Sequence, residues 1–206
     1  MTIHSLIERT RSALFGPSYG KQSLIEKGRP AQDRRCFVLV DCSMSMQGGK
    51  LEQAKIGSLG FAARALASGY GVAVIRFASD ANLVCSLGQD IERIRGQLQT
   101  LHASGTTNMA AAIDLAHMHL AAAEDAIRVI VIATDGIPDN PTSTLQAAWK
   151  AKDEGIRIIA VGTDKADLAF LRALATAGDL AVKVAPEQLG HGLIATARLL
   201  PGRSPH

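Results

Sequence analysis

Five consecutive residues, Asp41-Cys42-Ser43-Met44-Ser45, place one carboxylate and two hydroxyls on alternate positions. In a tight loop such side chains converge three oxygens on one point. Oxygen-only donors suit a hard cation, above all Mg²⁺ or Mn²⁺. A single close carboxylate leaves a divalent ion partly neutralised, so the ion keeps an affinity for an anionic oxygen from elsewhere. The same residues also describe a serine-rich helix entry, in which Ser43 or Ser45 caps the helix that follows. The pentapeptide alone accommodates both readings.

The elements around it narrow the choice. The array directly follows the apolar run Cys36-Phe37-Val38-Leu39-Val40, which reads as a buried parallel strand whose carboxyl end is where such sheets present ligands. Further strand-length aliphatic runs lie at residues 72–77, 127–133 and 156–161. Helix-length segments at 50–67, 109–123, 142–154 and 168–177 separate them. The second carries Met109, Ile113, Ala116, Leu120 and Ala123 at steps of three and four, a stripe that faces a core. This alternation predicts right-handed βαβ crossovers and an α/β fold: a doubly wound, mostly parallel, Rossmann-like sheet with helices on both faces.

One pair departs from the pattern. Residues 72–77 and 83–87 are joined by too few residues for a parallel crossover, which predicts a hairpin and one antiparallel strand. A last strand at 180–184 precedes a C-terminal helix at 186–199, with Pro186 in its first turn. Before the first strand the spacing predicts a helix over 3–14 and a Gly/Pro-punctuated arm, so the expected organisation is a basic arm at 1–34, a domain at 35–199 and a frayed tail at 200–206.

Composition sets bounds on function. With 206 residues, 47% hydrophobic and only 4% aromatic, the chain holds enough apolar material for one large aliphatic core. The absence of any apolar run of about 18 or more residues argues against a membrane span, and no secretion signal is evident, so cytoplasmic residence is expected. Cys36, Cys42 and Cys85 lack metal-type spacing and read as small core residues in a reducing compartment; Cys42, beside the array, has no neighbouring base that singles it out for redox chemistry. Positive charge concentrates in the first 35 residues, but with little aromatic interleaving, which ranks nucleic-acid binding low.

Two later loops follow the logic of the first. Ser104-Gly105-Thr106-Thr107-Asn108-Met109 sets hydroxyls at a helix entrance, and Thr134-Asp135-Gly136 follows the strand at 127–133. The carboxyl ends of a doubly wound sheet share one edge, so Asp41 and Asp135 become neighbours there and three loops converge.

With these loops in view, the chain resembles a von Willebrand factor type A domain of the intracellular bacterial type: D-x-S-x-S after the first strand, a G-T-T-N-M loop, a T-D-G strand end and this order of elements, over roughly residues 35–199. The resemblance implies that the family's metal-ion-dependent adhesion site falls on Asp41, Ser43, Ser45, Thr107 and Asp135. Thr107 is preferred to Thr106 because it precedes an amide and an aliphatic residue. Hydroxyl coordination by Ser43, Ser45 and Thr107 is implied, with Asp41 and Asp135 binding directly or through water. The implied function is non-enzymatic: Mg²⁺, or Mn²⁺, anchors an Asp or Glu of a partner protein, with partners such as an AAA+ ATPase, a chelatase-like complex or a kinase or phosphatase component.

Two rival readings differ in class. A haloacid-dehalogenase-like phosphotransferase would use Asp41 as nucleophile, but Ser43 stands where its second Asp belongs, and no Lys is obviously placed for phosphate, although Lys150, Lys152 and Lys165 are present. An interaction protein acting through its basic arm is the other. Gly48-Gly49-Lys50-Leu51 lacks the remainder of a P-loop. His117 and His119 point to different sides of one helix and read as surface residues, Trp149 as packing a helix face, and Asp80 and Asp139 as turn residues bonded to local backbone, outside the site.

Overall fold

The apolar run that begins at Cys36 becomes the centre of the sheet. β1 spans Arg34–Asp41 and is buried from Cys36 onward. It pairs in parallel with β2 (Gly71–Phe77) on one side and β4 (Ile127–Thr134) on the other. A strand covered on both edges and both faces has no place for polar side chains, which is why its sequence is continuous Val, Leu and Phe rather than alternating. The computed structural model describes residues 33–163 and 166–202. All of these belong to one compact unit beginning at Asp33. The expected helix at 3–14, the basic arm as far as residue 32, Lys165 and the last four residues of the tail lie outside the described residues.

The six strands run in the order β3-β2-β1-β4-β5-β6, where β3 is Ala81–Gly88, β5 is Arg157–Gly162 and β6 is Ala181–Lys183. β2 and β3 are antiparallel and every other pairing is parallel. The expected hairpin is present and β3 takes the sheet edge, where its side chains are mostly half-buried or exposed. The chain therefore leaves β1 in one direction and later returns to its other side at β4. That reversal opens a crevice at the carboxyl ends of β1 and β4.

Helices α1 (Gly49–Ala67), α2 (Ile91–Gln99), α3 (Met109–Ala121), α4 (Pro141–Asp153), α5 (Leu168–Leu174) and α6 (Leu189–Thr196) flank the sheet. The predicted α3 stripe is buried in full. α1 meets α6 closely enough that a Cβ on Gly57 would lie 2.8 Å from the Gly190 Cα, so glycine on both sides permits the contact. α2 has no counterpart among the expected elements. Its signals are Asp90, whose carboxylate accepts from the Glu92 and Arg93 N–H groups at 3.0 and 3.1 Å, and the spacing of Ile91, Ile94 and Leu98. The segment expected as one helix at 186–199 is α6 bracketed by two single 3₁₀ turns, Pro186–Gln188 and Ala197–Leu199.

Two side chains outside the site, His117 and Trp149, correct the sequence reading, while His119 is at the surface as expected. His117 is buried rather than exposed, with Nε2 2.7 Å from a Glu154 carboxylate oxygen, because it shares the inward face of α3 with Ile113 and Leu120. His119 is exposed but stacks its ring on Phe37, with centroids 5.8 Å apart. Trp149 is 60% exposed, since α4 turns Thr144, Ala147, Ala148 and Ala151 to the core and leaves no room there for an indole.

Candidate metal centre

Asp41 is the last residue of β1, and in the β1–β4 ladder the pair before it is Val40 with Ala133. Thr134 therefore comes to its side. The Thr134 hydroxyl donates to Asp41 Oδ2 at 2.6 Å and the Ser43 N–H donates to Oδ1 at 2.8 Å, which fixes the carboxylate in a fully buried position. Burial pushes the Asp41 carboxyl above its ordinary range, the bonds from Thr134 and Ser43 oppose that rise, and the negative charge of Asp135 adds to it. A cation beside it would remove this electrostatic cost.

From Asp41 the chain turns through a single 3₁₀ turn, Met44–Met46, before α1 begins. The N-cap of α1 is Gly48, and Ser43 makes no capping bond to the 3₁₀ turn. The two hydroxyls instead face each other, with Ser43 Oγ 3.0 Å from Ser45 Oγ, and the Ser45 hydroxyl donates to Asp135 Oδ1 at 2.6 Å. Thus Asp41, Ser43, Ser45 and Asp135 form one hydrogen-bonded group although 90 residues separate the last two.

The third loop is tied to the first by its backbone. The Ser104 N–H donates to the Cys42 carbonyl at 2.8 Å, and the Met44 N–H donates to the Gly105 carbonyl at 3.1 Å. Gly105 has φ +69°, and a Cβ there would collide with the Ser79 hydroxyl. Thr106 is exposed and directed to Ser79, whose Oγ lies 3.1 Å from the Thr106 N and 3.4 Å from its hydroxyl. Thr107 is buried, and Asn108 rather than a threonine caps α3 by accepting from the Ala111 N–H.

Two residues that sequence reasoning left aside belong to this arrangement. The Asp139 carboxylate accepts the Thr107 N–H with both oxygens at 3.0 Å, and the Asp139 N–H returns a 3.0 Å bond to the Thr107 carbonyl. Asp139 is therefore bonded across the site and not to its own turn. Asp80 also differs from expectation, because its carboxylate binds the side chains of Arg76 and Asn82. The second addition is Lys50, whose ammonium donates to the Ser45 carbonyl at 2.6 Å and to Asp135 Oδ2. The available signal for Lys50 was its place in the first turn of a helix, where the dipole disfavours a cation unless an anion is close. Cys42 is fully buried and its thiol is pushed up to about 12, mainly by burial and then by Asp41, which makes it a poor nucleophile.

The donors gathered here are hydroxyl, carboxylate and carbonyl oxygens. Among the described residues, no group of three or more His, Cys, Asp or Glu side chains is placed to hold a metal, so a cation in this crevice must use the hydroxyls. The donor set fits a hard divalent ion, and the Lys50 ammonium seated on the Ser45 carbonyl and Asp135 shows that these oxygens attract positive charge.

A mostly parallel α/β sheet with three oxygen-bearing loops at its topological switch point defines a Rossmann-like domain with an oxygen-lined crevice. The model of the von Willebrand factor type A domain matches residues 37–189, and the chain belongs to that family. Domains of this family are in general protein interaction modules. A comparison with curated proteins finds no match. Among solved structures, the chain is similar to the pilus adhesin SpaC from Lactobacillus rhamnosus GG, with 16% identity, a TM-score of 0.74 and coverage of 84% of this chain and 31% of that one. It is similar to the manganese-loaded TRAP protein of Plasmodium vivax, with 23% identity, a TM-score of 0.62 and coverage of 70% and 63%. It is also similar to proximal thread matrix protein 1 of the mussel byssus with a zinc-occupied MIDAS motif, with 16% identity, a TM-score of 0.63 and coverage of 81% and 46%. The chain thus spans less than two thirds of each of these proteins, and at these identities the likeness concerns the fold. Among the described residues no helix is long and apolar enough to cross a membrane.

Proposed function

We propose that the chain is a non-enzymatic protein-binding module that holds a divalent cation, Mg²⁺ or Mn²⁺, with Asp41, Ser43, Ser45, Thr107 and Asp135, and uses it to capture an Asp or Glu of a partner protein. The observation that carries this reading is the 3.0 Å separation of the Ser43 and Ser45 hydroxyl oxygens beside a buried carboxylate. Adjacent ligands of an octahedral Mg²⁺ bound at about 2.0–2.1 Å lie about 3 Å apart, so these two oxygens already have the spacing of one octahedral edge. The exposure of Thr106 and the burial of Thr107 support Thr107 as the hydroxyl from the third loop.

Around the oxygens, Met44 and Ile137 expose apolar side chains, 54% and 57% accessible. A partner carboxylate with apolar neighbours would meet both the ion and this rim. The manganese and zinc recorded in the TRAP and byssus proteins support a divalent ion in a site of this family. The binding module is assigned to residues 35–199, with 1–34 as a basic arm. Free thiols at Cys36, Cys42 and Cys85 fit a reducing, cytoplasmic setting, and the proposed partners are AAA+ ATPase, chelatase or kinase and phosphatase components.

Calorimetric titration with Mg²⁺ and Mn²⁺ tests the reading. The wild-type chain should bind one ion and Asp41→Ala should bind none while retaining its circular dichroism spectrum. Unchanged metal binding by Asp41→Ala removes the proposal, and phosphatase turnover that depends on Asp41 replaces it with phosphotransfer. Protein capture that is lost in EDTA supports the docking role; capture that persists in EDTA and disappears on deletion of residues 1–32, which leaves β1 whole, assigns the role to the arm.

A further inference from the structure

Lys50 is the only described basic side chain seated on the oxygens of the proposed centre. It occupies the second position of α1, where the helix dipole opposes a positive charge, and it is held there by the Ser45 carbonyl and by Asp135 Oδ2. Its side chain is 23% exposed while that of Asp135 is fully buried, so the ion pair is shielded far more than the exposed pairs of Glu52 with Lys55 or Asp80 with Arg76. Asp41, by contrast, is held by the Ser43 N–H and the Thr134 hydroxyl. The positive charge of the centre is therefore concentrated on one side, over Asp135 and the backbone of Ser45.

Resting on the metal-binding reading above, we propose that Lys50 is a built-in counter-cation that competes with the divalent ion, so that metal entry is an ion exchange in which the ammonium leaves Asp135. The charge balance requires a displacement. Asp41, Asp135 and Lys50 together carry one net negative charge, which a dication would convert to one net positive charge in a buried pocket if the ammonium stayed. Two cations sharing the Asp135 carboxylate in a shielded site repel strongly, and the flexible lysine stem can swing outward whereas the metal ligands cannot. Two consequences follow. Without a divalent ion, Lys50 neutralises Asp135 and ties the loop of Ser45 to that of Asp135. With one bound, the released ammonium stands at the rim of the crevice, where it adds a second positive charge facing the partner's carboxylate.

The test compares the full-length wild-type chain with Lys50→Met and Lys50→Gln by calorimetric titration with Mg²⁺ and by thermal unfolding in EDTA, with acetylation footprinting of Lys50 on the wild type. Both variants should bind Mg²⁺ at least about tenfold more tightly and unfold at lower temperature in EDTA. Lys50 of the wild type should be protected from acetylation in EDTA and become reactive at saturating Mg²⁺. If either folded variant binds Mg²⁺ no more tightly than the wild type, or if Lys50 acetylation is unaffected by saturating Mg²⁺, the counter-cation role is wrong while the metal site stands. If wild type and variants all fail to bind Mg²⁺ and Mn²⁺, the metal site itself is wrong and the exchange falls with it.

Discussion

Asp139 provides a sharp test of how the third loop is held, because it touches the site only through the backbone of Thr107. Replacing Asp139 with Ala removes the carboxylate that receives the Thr107 N–H at 3.0 Å through both oxygens, but leaves the reciprocal bond from the residue 139 N–H to the Thr107 carbonyl. A hydrogen bond to a charged group contributes about 1.5–3 kcal/mol. Asp139 is itself exposed, and solvent screening lowers the contribution to about 1–2 kcal/mol. For a domain of this size each kcal/mol shifts the melting temperature by about 2–4 °C, which sets the expected loss at about 2–8 °C. Because the bond orients the loop that presents Thr107, metal affinity should fall about 10–100-fold, the effect typical of residues that position a ligand. Asp139→Asn keeps an acceptor oxygen without the charge and should fall between wild type and Asp139→Ala. Thermal unfolding in EDTA and calorimetry with Mn²⁺ read the two effects separately. A melting temperature within about 1 °C of wild type, together with unchanged Mn²⁺ affinity, would show that the Asp139 bridge does not hold the loop and refute the reasoning.

Thr134→Val replaces the hydroxyl that donates to Asp41 Oδ2 with a methyl of similar volume, so it should cost about 1–3 kcal/mol in chemical denaturation, and a cost near zero would mean that Asp41 does not need this donor. Gly105→Ala forces a side chain into positive φ and against the Ser79 hydroxyl, and should destabilise by about 1–3 kcal/mol; Ser79→Gly in the same chain should recover part of the loss, measured by the same denaturation curves. Cys36, Cys42 and Cys85 are all buried, so a thiol reagent should label none of them in the folded protein at pH 8 and all of them in denaturant; rapid labelling of native Cys42 would contradict its placement.

The strands and most of the helices are legible because their signals are local. The continuous apolar run at Cys36–Val40 is short enough to read as a strand covered on both faces, and the stripe from Met109 to Ala123 reads as a helix with one face in a core. Once those elements are ordered, the rules of parallel sheets bring the ends of β1 and β4 together, and Asp41 and Asp135 with them. α2 is faint in the sequence although Asp90 and three spaced apolar residues mark it, because its single buried stripe is short and its surface strongly polar. His117 and Trp149 differ from expectation for a related reason: helical periodicity says which positions share a face, but the width of the buried face depends on how closely the neighbouring layer approaches.

The fold class and the oxygen-rich character of the crevice are legible in the residues alone, since residue types and strand ends are local properties and the sheet's topology places them. Which side chains complete the crevice depends on how the loops close. Lys50 meets Asp135 across 85 residues and Asp139 meets Thr107 across 32, through loops whose paths depend on Gly48 at φ +81° and Gly105 at φ +69°. No periodic pattern encodes those backbone angles, and a lysine that reads as a failed phosphate loop or an aspartate that reads as a turn residue acquires its partner only when the loops close. The hydroxyl pair shows the same division: spacing put Ser43 and Ser45 on alternate residues, while the turn between them brought their oxygens to 3.0 Å.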